Sequence, residues 1–567
     1  VNSLGDTSVP GDGLCSLREA IRNANDKVDR SGGDCAVGSG ADTIVFTVTG
    51  IIALTLVPET PSTALPPVTT DVAIQGPGAA ALTVRVSGNS VRVLEVTAGG
   101  RLTLTGLTVA DGLVPGAGGG GVLSLGTVVV TDVVFSNNAA ANGGALYLSN
   151  TPNPLTRVTF AGNRASGNGG AIYAAPGSPL DVRSSAFTDN RADGNGGAVY
   201  GDGDLSGCTF SANTTGGNGG AVYNPFGTLT VADSTFTSNL ATAGGGAIYV
   251  PDGVLTVART SFTGNAADSG GGIFGGEAPT ITVSRSTFTN NTALGGGGGI
   301  LNTDGTLTVD QSTFTGNSAS SGGAIEGGVG SNSVLASTLS GNSAVQGGGV
   351  SVSSGLSVVG SALSGNTATT EGGGVYVGTD AGFGISNSTL SGNTAGTSGG
   401  GLYASAASRP GTITHVTFYG NTASSGGALF SDVAPTLRNS IVAYSASGGN
   451  CAGAALPQDL GNNVQAPGSS CGNGILSDPS SPTDCSLLGP LAVNGGPTRT
   501  HALLVRPGLP LCPGPNPAID GVPLAACPFP TDQRGAARPA GAACDMGAFE
   551  LGPMPDLIFA DGFQDQT

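Results

Sequence analysis

Two histidines, His415 and His501, stand in a chain of 567 residues. Nucleophilic or acid–base chemistry needs a base within reach of its partner and a third group to orient it. No GxSxG elbow or Ser-His-Asp arrangement can be assembled around either histidine. His501 shares its region with Asp520, Asp532, Arg534 and Asp545, and a structural hydrogen-bond network under disulfides is the expected role of that group. Glycoside hydrolysis needs two carboxylates a defined distance apart. Here they are scattered over Asp189, Asp193, Asp202, Asp204, Asp233, Asp252, Asp268, Asp310, Glu326 and Glu371. Asp202 and Asp204, in YGDGDL, are the best local pair and the candidate calcium ligands, because hard cations take clustered oxygens. DGD at a corner is a turn signal first, so no cofactor is expected, with calcium at this pair as the candidate exception. Arg259 and Arg285 read as solvated edge residues rather than partners of an acidic sugar. No GxxxxGK[ST] phosphate loop follows a strand.

What could position such residues is a repeat. Aligning on the STF element gives Phe135, Phe160, Phe187, Phe210, Phe236, Phe262, Phe288, Phe314, Leu339, Leu363, Leu390 and Phe418, in steps of 23 to 28 residues. Three positions after each comes asparagine: Asn138, Asn163, Asn190, Asn213, Asn239, Asn265, Asn291, Asn317, Asn342, Asn366, Asn393 and Asn421. Each repeat holds three short β-prone pieces of the types TLTV, STFT and AIYV, separated by Gly- or Asn-rich corners. That is one coil of an all-β parallel β-helix, a solenoid of ~25-residue coils. Less regular coils from about Asp42 and after Thr436 raise the expectation to roughly 16–19 coils. Strands stack ~4.8 Å apart, so a residue at fixed phase becomes a column. The asparagines should form a ladder, tolerating the left-handed conformation. The phenylalanines should stack inside, and Gly-Gly pairs such as Gly245-Gly246 should turn corners.

Composition narrows the setting. Net charge is −18, with 19 Lys and Arg against 37 Asp and Glu, so the basic clusters that nucleic acid requires are missing. No run of ~20 apolar residues could span a membrane as a helix. Val1 is not methionine and no leader precedes it, so a mature secreted chain with its signal peptide removed is expected. The cysteines agree. Cys15 and Cys35 lie at the start, and Cys451, Cys471, Cys485, Cys512, Cys527 and Cys544 near the end, without a CxxC. They read as disulfides of an oxidising compartment, and the six leave their pairing open. Cys208, at a position where other repeats have serine, reads as a small buried residue. At the N-terminus Ser16 and Glu19 make a capping box, with Leu17, Ala20, Ile21 and Ala24 on one face of a helix that should cover the first coil.

Two stretches carry a family resemblance. GDGLCSLREAIRNAN, Gly11 to Asn25, closely resembles the CSLREA domain found at the start of many secreted bacterial repeat proteins. LGPLAVNGGPTRTHAL from Leu488, then NPAIDG, TDQRGAARP and CDMGAFE, resemble the choice-of-anchor Q region of bacterial right-handed β-helix proteins. The repeats between are similar to those of polymorphic outer-membrane-type and adhesin-like β-helices, and DLIFADGFQ resembles an ending of secreted proteobacterial proteins. The resemblance implies a secreted or surface-displayed right-handed parallel β-helix and implies no reaction. The expected domains are a cap (1–40), the β-helix (41–445), a disulfide- and proline-rich C-terminal region (446–552) and a tail (553–567).

The tail carries Leu557, Ile558 and Phe559, an apolar run expected to add as a strand to a neighbouring copy. A head-to-tail contact of that kind yields a filament. The function expected is therefore a non-enzymatic extracellular rod, an adhesin or fibre subunit. Its expected partners are further copies of the chain, surface glycans or other cell-surface proteins. The alternative is a carbohydrate-active β-helix enzyme or glycan-binding module.

Overall fold

The computed structural model describes residues 1–149, 153–225, 227–483, 485–506 and 514–552. It is a parallel β-solenoid of about 16 turns, and the chain forms two compact units.

The first unit, Val1–Ser333 with Leu339–Gly355, opens on a helix, α1 (Leu17–Asp26). The Ser16 side chain accepts the Glu19 N–H while the Glu19 carboxylate accepts the Ser16 N–H. Leu17, Ile21 and Ala24 are buried. The helix is fixed to the early coils by polar contacts. Arg18, fully buried, donates to Asp6 at 2.8 Å, Glu59 at 2.7 Å and the Ala64 carbonyl at 2.8 Å, and Asn25 donates to the Pro67 carbonyl. The Cys15–Cys35 disulfide closes the segment.

From Asp42–Val45 onward successive coils contribute parallel strands to the walls. Thr228–Ala232 pairs without offset with Val254–Ala258, and that with Thr280–Ser284. Period-two alternation turns Leu229, Val231, Leu255 and Val257 inward. The middle wall carries the phenylalanines. Phe135 through Phe314 form one internal stack with ring centroids 4.5–5.3 Å apart and planes within 10°. The third wall reads inward-outward-inward, as in Ile248, Tyr249 and Val250. A fourth wall, absent from the three-strand expectation, begins with Leu113–Gly118 and Ala139–Asn142 and continues in two-residue strands such as Arg164–Ala165, Arg191–Ala192 and Leu240–Ala241. Two residues are too few to show a period.

The asparagines form the expected ladder, and all twelve are buried. Their backbone differs from expectation. The left-handed residue is the one before each, such as Asn137, Asp189, Ser238 and Asn290, which leaves the ladder asparagine free to point inward. From Asn163 to Asn317 each Oδ1 takes two hydrogens from the preceding asparagine, while the Nδ2 bonds both to the next rung and to a phenylalanine carbonyl. At Asn138, Asn393 and Asn421 the carbonyl is that of Val109, Leu363 and Leu390. For Asn239 these distances are 2.9–3.1 Å. Four bonds satisfy the whole amide, which is what makes it tolerable in the interior. Beside it runs a hydroxyl ladder, in which Ser234, Thr260 and Ser286 each accept a backbone N–H from the adjacent coil. Cys208 occupies one rung of it, buried, its thiol pushed up to about 11 by burial.

The second unit, Val334–Thr338 with Leu356–Thr567, continues the coil pattern. Parallel pairing extends past the sequence-derived boundary at 445, through Val464–Ala466 to Leu476–Ser477. The chain then forms an antiparallel hairpin, Leu488–Ala492 with Thr500–Leu503. This hairpin and the segments after it lie on the outer face of the middle wall, which is why Thr389, Ser391, Ile441 and Ala443, outward by register, are buried. A cluster of Ile441, Tyr444, Leu488, Leu503, Val522, Met546 and Phe549 fills the junction. Cys451–Cys471 and Cys527–Cys544 are disulfides, and Cys485 is disulfide-bonded. Cys512 lies outside the described residues. Among the described residues no helix is long and apolar enough to cross a membrane.

Candidate functional site

Three places gather groups that could do chemistry. The first is the clasp formed by residues 488–550 on the coils of the second unit. Arg538, fully buried, donates to His415 Nδ1 and to the carbonyls of Asp545 and Gly547, each at 2.7 Å, and lies 3.4 Å from Glu550. Glu550 accepts the N–H groups of Ala540 and Asp545, and Asp532 accepts those of Arg534, Ala536 and Glu550. The Arg534 guanidinium sits 3.5 Å over the Phe549 ring. Burial pushes the Asp545 carboxyl up to about 6, and burial together with Arg538 pushes His415 down to about 3. Every charged group faces a partner, as a buried network must. The sequence grouped these acids with His501, whereas the structure gives them His415.

His501 belongs to a separate pair. Its Nδ1–H donates to the Gly489 carbonyl at 2.7 Å, so Nε2 is the acceptor for the Ser391 hydroxyl at 2.8 Å. A serine bonded to a histidine is nucleophile-and-base geometry. Here it has no route to a substrate, because Ser391 is 6 % and His501 1 % exposed, under the ring of Tyr419. Burial pushes His501 down to about 4, too acidic for a base near neutrality. The pair pins the hairpin to the coil. Being 110 residues apart, its members carry no local signal.

Asp202 and Asp204 are the second place. Asp204 lies on the outer strand face in register with Asp181 and Thr230. Asp202 sits at the corner, filling the space above Gly227, its carboxyl raised by burial. Among the described residues no group of three His, Cys, Asp or Glu side chains is placed to hold a metal. Arg259 pairs with Asp233 of the preceding coil through both nitrogens, at 2.6 and 2.7 Å, on the exposed corner.

The third place is an outer column of tyrosines, which the sequence reading did not single out. Tyr147, Tyr173, Tyr200, Tyr223 and Tyr249 stack with centroids 4.9–5.3 Å apart. Tyr376, Tyr403 and Phe430 repeat the arrangement in the second unit. The signal was present in the Ile-Tyr-Val alternation. Beside the first column a second asparagine ladder, Asn142, Asn168, Asn195 and Asn218, passes one hydrogen bond of 2.8–2.9 Å per step along the corner. Because each ring covers the face of the next, the column offers edges and hydroxyls rather than the open ring faces a sugar platform needs. Leu557, Ile558 and Phe559 lie outside the described residues.

Comparison with known proteins agrees with this geometry. The family model for the right handed beta helix region matches residues 72–242 and 219–382, more than half of the chain. A Chlamydia polymorphic membrane protein repeat matches residues 415–432. No curated protein matches. Among solved structures, the A-module of mannuronan C-5 epimerase AlgE6 from Azotobacter vinelandii aligns at 14 % identity over 81 % of this chain and 98 % of that one, with a TM-score of 0.22. Identity and score at that level carry no argument about activity. The chain belongs to the right-handed β-helix family.

Proposed function

We propose that this protein is a non-enzymatic structural protein displayed on the cell surface or secreted, a β-helical body that acts as an adhesin or as the subunit of an extracellular fibre. The observation that carries the reading is the investment of every coil in the same stacked positions. Two interior ladders, one aromatic stack and glycine corners recur from coil to coil, so the repeated part of the sequence maintains a shape. The match of residues 415–432 to a polymorphic membrane protein repeat supports surface location, and terminal disulfides suit an oxidising environment. In the fibre form, the segment with Leu557, Ile558 and Phe559 adds as a strand to a neighbouring copy. Deleting Asp556–Thr567 and imaging the purified product by electron microscopy tests that form. Loss of filaments supports strand donation, and filaments that persist unchanged reject it.

A further inference from the structure

The outer tyrosine column has a chemistry that its shape does not require. A phenylalanine fills the same position at Phe274 and Phe430, so stacking alone does not explain five consecutive phenols. The tyrosines pair in register, Tyr147 with Tyr173, Tyr173 with Tyr200, Tyr200 with Tyr223 and Tyr223 with Tyr249. Their planes are within 20° of parallel. All five rings are half-buried, packed on one side and open at the other. Burial raises the phenols of Tyr173, Tyr200 and Tyr223, and the neighbouring tyrosine raises each further. The hydroxyls therefore stand within electrostatic reach of one another along the column.

We propose that this column is a site of oxidative modification, at which a peroxidase-type one-electron oxidant using hydrogen peroxide joins tyrosines of successive coils as dityrosine. Each phenol surrenders one electron and its hydroxyl proton. The two phenoxyl radicals form one carbon–carbon bond between positions ortho to their oxygens. Each of those carbons then loses its hydrogen as a proton, and each oxygen regains one, restoring two phenols. In sum, two tyrosines and one hydrogen peroxide give one dityrosine and two waters.

Adjacent strands hold the side chains ~4.8 Å apart, and half-exposed rings have room to tilt from stacked to edge-joined. Rings tethered at an effective concentration of at least millimolar, against micromolar protein in solution, meet about 1,000-fold more often than rings of separate chains. The links would staple one coil to the next, adding covalent strength to the hydrogen-bonded ladders. This inference stands on the column's geometry and not on the surface reading.

The test exposes the purified full chain to peroxidase and hydrogen peroxide over a range of protein concentrations. Dityrosine fluorescence measures the yield, and mass spectrometry of proteolytic fragments maps the links. The comparison is the double variant Tyr173→Phe, Tyr223→Phe, which keeps every ring but leaves Tyr147, Tyr200 and Tyr249 without a tyrosine neighbour. Circular dichroism confirms that it folds. The expected result is links between Tyr147–Tyr249 neighbours within one chain, at a yield independent of concentration, and their loss in the variant. Links formed only between separate chains, equal yield from this segment in the variant, or no coupling where free tyrosine couples would each overturn the proposal.

Discussion

Replacing Asn239 by alanine measures what one rung of the inner ladder is worth. The change removes the Nδ2 bonds to the Phe210 carbonyl (3.0 Å) and to Asn265 Oδ1 (2.9 Å). It also removes the acceptor for the Asn213 N–H (3.1 Å) and Nδ2 (2.9 Å). The side chain is fully buried, so water cannot replace it. Two backbone groups, the Asn213 N–H and the Phe210 carbonyl, lose their side-chain partners. At about 1–3 kcal/mol for each buried group left unpaired, the cost is about 2–6 kcal/mol. Asn218→Ala is the matched control. It too ends a ladder contact, the 2.9 Å bond from the Gly244 N–H, but at a half-exposed corner where water substitutes, and it should cost about 1 kcal/mol or less. Hydrogen exchange read by mass spectrometry separates the two, because a coil depends mainly on its immediate neighbours. Asn239→Ala should speed exchange about 30-fold or more in the coils from Phe210 to Asn265, since 1.4 kcal/mol is tenfold, and leave distant coils unchanged. If Asn239→Ala exchanged no faster than Asn218→Ala, the ladder would not be what holds the coils together.

Four further outcomes follow from the same structure. Phe236→Ala, inside the ring stack, should cost about 3–5 kcal/mol in a urea titration, whereas Tyr223→Phe on the outer column should leave the midpoint unchanged. The clasp should weaken on acidification. His415 and His501, held down to about 3 and about 4, contribute stability above their ordinary pKa near 6.5 that is lost as pH falls. Asp545, raised to about 6, works the other way, its contribution complete below its ordinary pKa and lost as pH rises through 6. With two histidines against one carboxylate, the unfolding free energy of the second unit, read from denaturant titrations, should fall between pH 6 and pH 4 by about 1.4 kcal/mol per pH unit. Reducing Cys527–Cys544, which closes a loop of 17 residues, should destabilise the clasp by about 3 kcal/mol, seen as earlier loss of protection around Thr417. Chelation with EDTA, or added calcium, should leave the thermal midpoint unchanged; a calcium-dependent rise abolished by Asp202→Asn would establish the cation site.

The fold was legible because stacking makes identity at one phase a physical requirement. A ladder amide meets part of its hydrogen-bonding need through the asparagine one coil away, so Asn138 to Asn421 repeat without exception, and the STF phenylalanines repeat nearly so. Less of the surface could be read. The asparagines at 142, 168, 195 and 218 sit just before the glycine pairs, where asparagine is an ordinary turn residue, so their ladder has no distinct signature. Tyr147 to Tyr249 carry a weaker signal than the phenylalanines, since only the alternation with apolar residues on either side places them outward. Contacts such as Ser391 with His501, or Arg538 with His415 at 123 residues' separation, have no periodic signature. They depend on how a non-repeating segment lies across the coils, which local pattern does not encode.

Surface display is the claim on which the functional reading rests, and labelling of intact cells tests it most directly. Cells producing the full chain are stained with an antibody raised against the folded protein, alongside a cytosolic marker that reports lysis. The reading predicts labelling of unbroken cells, or recovery of the chain from the medium, while the cytosolic marker stays unstained. A chain that becomes accessible only after lysis would contradict it.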